Sequence, residues 1–156
     1  METQPKNDMQ REQDTAEDRF LVFTIDKQSY GIEIHYIIEI IEMLPITVVP
    51  FLPACMKGII NLRGSIIPLM DVRLRFGLPE QAYTERTCII VLDNDGVQLG
   101  LIVDAVQEVT NIPADLRMPP PNAQAGESIR YIKNVGNADN QIQLLLDCDR
   151  LMAIQG

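Results

Sequence analysis

One stretch of this chain occurs twice. Aligning Gly31 with Gly100, a shift of 69 positions, places Phe20-Leu21-Val22-Phe23 on Ile89-Ile90-Val91-Leu92 and Tyr30-Gly31-Ile32 on Leu99-Gly100-Leu101 without a gap. Ile34 then falls on Val103, Ile37 on Val106, Glu39 on Glu108 and Ile40 on Val109. Further on, Ile66, Leu69, Met70 and Asp71 match Ile142, Leu145, Leu146 and Asp147 at a shift of 76, and the seven extra residues are assigned to the longer proline-rich loop Pro113–Ser128. A repeat of this size makes two copies of one small unit, too small for a large core apiece, so the copies are expected to pack on each other. Each copy carries about five short strands, a proline-bearing loop and a capped helical turn. The expectation is two tandem five-stranded β-barrels, roughly 19–78 and 86–156, with a short C-terminal helix; a strand or that helix crossing between halves is compatible with the repeat.

Residue types and periods agree with β-structure. Of 156 residues, 46% are apolar but only 5% aromatic, with no Trp, so the core has to come from Ile, Val and Leu, which suit pleated strands. Phe20–Ile25 read as one strand, Asp26-Lys27-Gln28-Ser29 as a turn, and Tyr30, Ile32 and Ile34 as one face of the next strand. A short helical turn at His35–Glu39 precedes a third strand, and Pro45, Pro50 and Pro53 then exclude regular structure from a loop rich in Val and Phe. Gly58–Leu62 and Ile66–Met70 form a hairpin, with Pro68 demoting part of it to an edge or a bulge. Asp71 is placed to cap a helical turn, Val72–Phe76, that Gly77 closes.

Residues 1–18 contain six acidic and two basic side chains and almost nothing apolar, so they are expected to form a disordered acidic tail ahead of a single domain over 19–156. The whole chain carries a net charge of −9, the wrong sign for nucleic acid. Its scattered cations, Lys57, Arg63, Arg73 and Arg75, read as a solvated face. Cys55, Cys88 and Cys148 are odd in number and far apart, which fits buried thiols in a cytoplasmic protein better than disulfides or metal ligands. The longest aliphatic runs are strand-sized, so no membrane insertion is expected.

Catalytic sets are missing from the sequence. Nucleophilic catalysis needs Ser, Cys or Thr beside a base, and the only histidine, His35, sits in an apolar run, where a structural role is expected. Neither a GxGxxG nor a GxxxxGK[ST] phosphate cradle occurs, and Asp93–Gly96 is explained by a hairpin turn better than by a calcium loop. No enzyme activity, cofactor or metal is expected. A small β-protein of this kind works by binding other proteins through apolar surface or strand edges.

The stretch KGIINLRGSIIPLMDVRLRFG, Lys57 to Gly77, is where the chain becomes specific, because it sets one arginine, Arg63, on a turn between two aliphatic strands. Together with FLVFTID, YGIEI, the I-x-E-I at 37 to 40 and GLIVDAVQEV from Gly100, it resembles the CheW family of bacterial chemotaxis adaptors from about Phe20 to Leu151. The resemblance implies SH3-like barrels. It also implies a non-enzymatic scaffold that couples methyl-accepting chemoreceptors, through their cytoplasmic tips, to the regulatory domain of a CheA-like histidine autokinase. Such a protein is cytoplasmic and meets membrane receptor arrays only through its partners. Family positions sensitive for receptor binding fall on Ile37, Glu39, Gly58, Arg63, Gly100 and Val106, with Asn61 and Gly64 shaping the turn; no residue is assigned to the kinase. Each glycine has an equally good structural explanation in close packing, and Ile37 and Val106 equally fit a core.

Glu39 is the acid in an otherwise isoleucine-rich strand, and it is expected to hold the Arg63 guanidinium by charge-assisted hydrogen bonds. The second copy keeps Glu108 but has no arginine at its turn near Gly136–Asn140, so the barrels are expected to do different jobs. An adaptor of another chemosensory output, such as twitching motility, is the alternative within the family. A small-molecule-binding β-barrel is the alternative outside it.

Overall fold

The computed structural model describes residues 18–120 and 128–153, so the tail expected over 1–18 lies outside the described residues except for Asp18. That residue belongs to the fold. Its carbonyl accepts from Ile112 N at 2.8 Å and its carboxylate pairs with Arg117.

Strands dominate. They are β1 (Arg19–Ile25), β2 (Gln28–Glu33), β3 (Ile37–Glu42), β4 (Met56–Leu62), β5 (Ser65–Asp71), β6 (Cys88–Asn94), β7 (Val97–Val103), β8 (Ala105–Asn111), β9 (Arg117–Met118), β10 (Ile132–Ala138) and β11 (Gln141–Leu146). Four hairpins, β1–β2, β4–β5, β6–β7 and β10–β11, close on two-residue turns, Asp26-Lys27, Arg63-Gly64, Asp95-Gly96 and Asp139-Asn140. All eight turn residues have positive φ, the backbone that matches the right-handed twist of paired strands. Two short helices, α1 (Val72–Arg75) and α2 (Cys148–Met152), start where expected, because Asp71 accepts from Arg73 N and Asp147 from Arg150 N.

The strands do not assemble in sequence order. One sheet runs β8-β1-β2-β11-β10-β9 and the other β3-β6-β7-β5-β4. The repeat therefore predicts the wrong barrel boundaries: each sheet takes strands from both 19–78 and 86–156. Hairpin β1–β2 completes the sheet of the second copy, and hairpin β6–β7 that of the first. The exchange is reciprocal to the residue. Ile37 pairs with Leu92 as Val106 pairs with Phe23, and Leu69 pairs with Gly100 as Leu145 pairs with Gly31. Local geometry accounts for the crossing. No two-residue turn joins β2 to β3 or β7 to β8; a 3-10 turn, Ile34–Tyr36, redirects the first connection and Asp104 alone makes the second.

Each sheet then closes on itself. Past β3, Thr47 bridges back to Ile59 on β4, and past β8, β9 pairs with β10 in the same way. Ile60, Ile67, Leu69, Ile89, Val91 and Ile102 fill one barrel, while Phe20, Ile112, Ala138 and Leu145 fill the other. The largest cluster lies between them. Leu21, Phe23, Ile25, Ile90 and Leu92 enter it from the exchanged strands, with Met70, Phe76, Leu146 and Leu151 from both copies. Strands β1 and β6 thus bury both faces, which is why they read as continuous apolar runs instead of alternating.

One local expectation is met and another needs correction. Strand β5 lies between β7 and β4, but its parallel ladder to β7 starts only at Leu69, so the part up to Pro68 is an edge on that side and the missing N–H costs no bond there. Arg73 is not on a solvated face. At 4% exposure it donates to Asp104 Oδ2 at 2.7 Å, Asp26 Oδ1 at 3.1 Å and the Pro79 carbonyl at 3.2 Å, tying α1 to the β1–β2 turn and to the β7–β8 connection. Its neighbour Asp71, equally buried, accepts from Tyr83 Oη at 3.0 Å, and burial followed by the Asp71 charge pushes the Tyr83 hydroxyl far up.

Candidate docking site

Arg63 occupies the first position of the β4–β5 turn at φ 51°, and the next residue, Gly64, is at φ 91°. Asn61 holds that turn, since its Oδ1 accepts from Gly64 N at 2.9 Å; Asp93 does the same for Gly96 in the matching hairpin β6–β7. From this perch Arg63 Nη2 donates to Glu39 Oε1, and the expected ion pair is present. The two side chains differ in exposure. Arg63 is 69% exposed and Glu39 only 28%, so the carboxylate is the fixed member and the guanidinium the presented one.

The pair spans a recess of about 230 Å³ lined by Ile38, Glu39, Leu62, Arg63, Ser65, Ile67, Val91 and Gln98. Because β3 and the β4–β5 hairpin lie at opposite ends of the sheet order, only barrel closure brings Glu39 to Arg63. The outer side of β3 carries Ile38 and Ile40, both exposed, on a strand with one open edge. After it comes a loop displaying Val48, Leu52 and a fully exposed Phe51. Ile38, Leu62 and Gln98 escape sequence reasoning; the one available signal is that β3 is apolar on both faces though it ends a sheet.

The remaining predicted residues do not line this recess. Ile37 and Val106, equivalent under the repeat, are half-buried against the cluster between the barrels. Gly100 lies inside a barrel, where a Cβ would come within 2.6 Å of Leu69 Cδ2, and Gly31 is placed likewise, 2.7 Å from Leu145 Cδ2. At Gly58, φ is 144° and a Cβ would fall 2.2 Å from the Thr47 carbonyl oxygen. That position is reserved for the strand bridge that closes the barrel. His35 is exposed and rests on the Tyr36 ring, with centroids 4.1 Å apart.

Among the described residues no group of His, Cys, Asp or Glu could hold a metal ion, and no helix is long and apolar enough to cross a membrane. A barrel pair presenting an open strand edge, exposed isoleucines and one clasped arginine defines a protein-binding scaffold. Residues 19–155 match the family model for the CheW-like domain. The chemotaxis protein CheW of Klebsiella aerogenes is 31% identical over 90% of this chain and 84% of its own length, and that of Bacillus subtilis is 27% identical over 86% of each. A crystal structure of the scaffolding protein TtCheW from Thermoanaerobacter tengcongensis superposes with a TM-score of 0.81 at 31% identity, covering 89% of this chain and 94% of that one. The chain belongs to the CheW family, and is a chemotaxis adaptor of the scaffold type, not an enzyme.

Proposed function

We propose that this protein couples the cytoplasmic tips of chemoreceptors to a CheA-like histidine kinase, with the receptor tip docking over the Arg63–Glu39 clasp. The clasp carries the reading. A half-buried carboxylate holding an exposed guanidinium fixes the direction of its remaining N–H donors, which suits a polar patch on a helical partner. Ile38 beside it supplies apolar contact. Kinase attachment then falls to apolar surface such as Val48, Phe51 and Leu52, where an anchor set with few charges gives an affinity only weakly dependent on salt.

A double-mutant cycle with a soluble receptor-tip fragment tests the site. Arg63→Ala and Glu39→Ala are each expected to weaken receptor binding by about 1–2 kcal/mol, with the double variant no worse than either alone. Additive losses would show that the two residues do not act as a unit. Retention on an immobilised kinase regulatory domain should survive both substitutions and fall with Phe51→Ala.

A further inference from the structure

The two barrels finish their open ends differently. In the second, β2 and β11 are unpaired where they start, and Gln28 stitches them there: its Nε2 donates to Ser29 O at 3.1 Å and to Ile142 O at 3.5 Å. Beside this stitch Gln143 is buried, its Oε1 accepting from Ala138 N at 3.3 Å and its Nε2 donating to Ala138 O at 3.3 Å. Both devices are carboxamides. At the shifts that relate the copies, 69 for β2 and 76 for β11, Gln28 corresponds to Val97 and Gln143 to Ile67. Neither side chain can hydrogen-bond, so the first barrel has no such stitch and no such plug.

The notch that results between β5 and β7 is also the longer one. In the second sheet the parallel ladder starts where Leu144 pairs with Tyr30; in the first it starts one residue later, where Leu69 pairs with Gly100, and Pro68 stands in the place of Leu144. Backbone groups alternate in direction along a hairpin, and Ile66 opposite Asn61 has the register of Ile142 opposite Asn137. Ile142 O and Ser29 O converge on the Gln28 amide, so their equivalents, Ile66 O and Gln98 O, converge on the notch. It opens on the recess under the clasp, which Ser65, Ile67 and Gln98 line on this side. Among the described residues, neither the Ser65 hydroxyl nor the Gln98 carboxamide has a hydrogen-bond partner. Ile66 and Val97 flank the notch, both more than half exposed.

We propose that this notch takes a carboxamide, the side chain of a glutamine or asparagine on the receptor-tip helix, in the place that Gln28 fills in the second barrel. This rests on the docking of that tip over the Arg63–Glu39 clasp. The chemistry of the notch selects the group. Ile66 O and Gln98 O take a donor, the Ser65 hydroxyl and the outer N–H groups of Arg63 supply donors, and a carboxamide matches both kinds without a charge. A carboxylate would meet the two carbonyls acceptor to acceptor. An ammonium or guanidinium would compete with Arg63 for Glu39, which is already paired. An apolar side chain would cover Ile66 and Val97 but leave the carbonyls without a donor once water is excluded.

The test uses the full chain and the soluble receptor-tip fragment. Val97→Gln installs the second barrel's stitch at an exposed position and should weaken binding of the fragment about tenfold with the Tm unchanged or raised, whereas Gln28→Val removes the stitch of the second barrel and should lower the Tm with binding unchanged. Each glutamine and asparagine of the fragment is then replaced by leucine in turn. One replacement is expected to weaken binding to the native chain about tenfold, to change binding to the Val97→Gln variant by roughly twofold or less, and to remove the one side-chain NH2 pair that shifts on binding in ¹⁵N-resolved NMR of the fragment. Arg63→Ala, measured alongside, separates this site from the docking it rests on. If Arg63→Ala leaves binding unchanged, the tip does not dock at the clasp and delivers no side chain to the notch. If Arg63→Ala weakens binding while Val97→Gln, or every leucine replacement, leaves the affinity unchanged, docking at the clasp stands and the carboxamide is overturned.

Discussion

Arg63 stands where the other three hairpins put aspartate. Asp26, Asp95 and Asp139 open their turns in the left-handed region, which short polar side chains tolerate; Arg63 adopts φ 51° without that advantage. The turn itself does not need an arginine, which accords with the docking role proposed for it. Arg63→Asn should therefore leave the fold as stable or stabilise it by up to about 1 kcal/mol, while receptor-tip binding falls as far as in Arg63→Ala. Thermal melts and binding isotherms on one preparation check this, and a lowered Tm would place Arg63 in the scaffold. Cys148 gives a second residue-level expectation. Burial, then the nearby charges of Asp149, Glu33 and Asp147, push its thiol up to about 12 from the usual 9. A thiol raised on folding stabilises the native state below its unfolded pKa, and that contribution is lost as pH rises from about 9 through about 12. The native protein should resist alkylation at Cys148 at pH 8, react there only on unfolding, and lose stability in that alkaline window; a Cys148→Ala variant should lose less of it.

At the level of strands, Gly31 and Gly100 make one arrangement twice, each letting a leucine from the parallel neighbour lie against the backbone. Adding a methyl group overpacks a barrel interior in either case. Gly31→Ala and Gly100→Ala should each destabilise by about 1–3 kcal/mol, and receptor binding measured well below both melting points should be unchanged in each. Loss of binding confined to folded Gly100→Ala would make that glycine a contact. The strands, turns and helix caps were legible because each is set by neighbours in sequence: an Asp two or three residues before an amide, or a pair of turn residues between apolar runs. The Arg63–Glu39 pair was legible because one cation and one acid stood alone among isoleucines. What escaped was settled by distance. Arg73 looks like any surface arginine until Asp26 and Asp104, 47 and 31 residues away, are brought to it. The exchange of hairpins between the copies has the same origin, since the 3-10 turn Ile34–Tyr36 sends β3 to the other sheet and nothing in the local sequence says which partner it meets there.

Reciprocal exchange of hairpins makes the molecule indivisible in a way its repeat conceals. Without β6–β7, the first copy would lose the pairing partners of both β3 and β5; without β1–β2, the second would lose those of β8 and β11. Either copy alone would expose unpaired strand edges and half of the cluster between the barrels. Both fragments together lack nothing but one peptide bond. Gln81 and Ala82 are exposed in the linker between α1 and β6, so the chain can be divided between them without removing a side-chain contact described for either residue. Fragments 1–81 and 82–156 are each expected to lack a cooperative thermal transition, and mixed at equal concentration they should regain a native-like spectrum with a Tm that rises with concentration, as mass action requires of a folded heterodimer. A cooperative, concentration-independent transition in either fragment alone, unaltered by the other, would mean that the copies fold as the tandem units their sequence suggests.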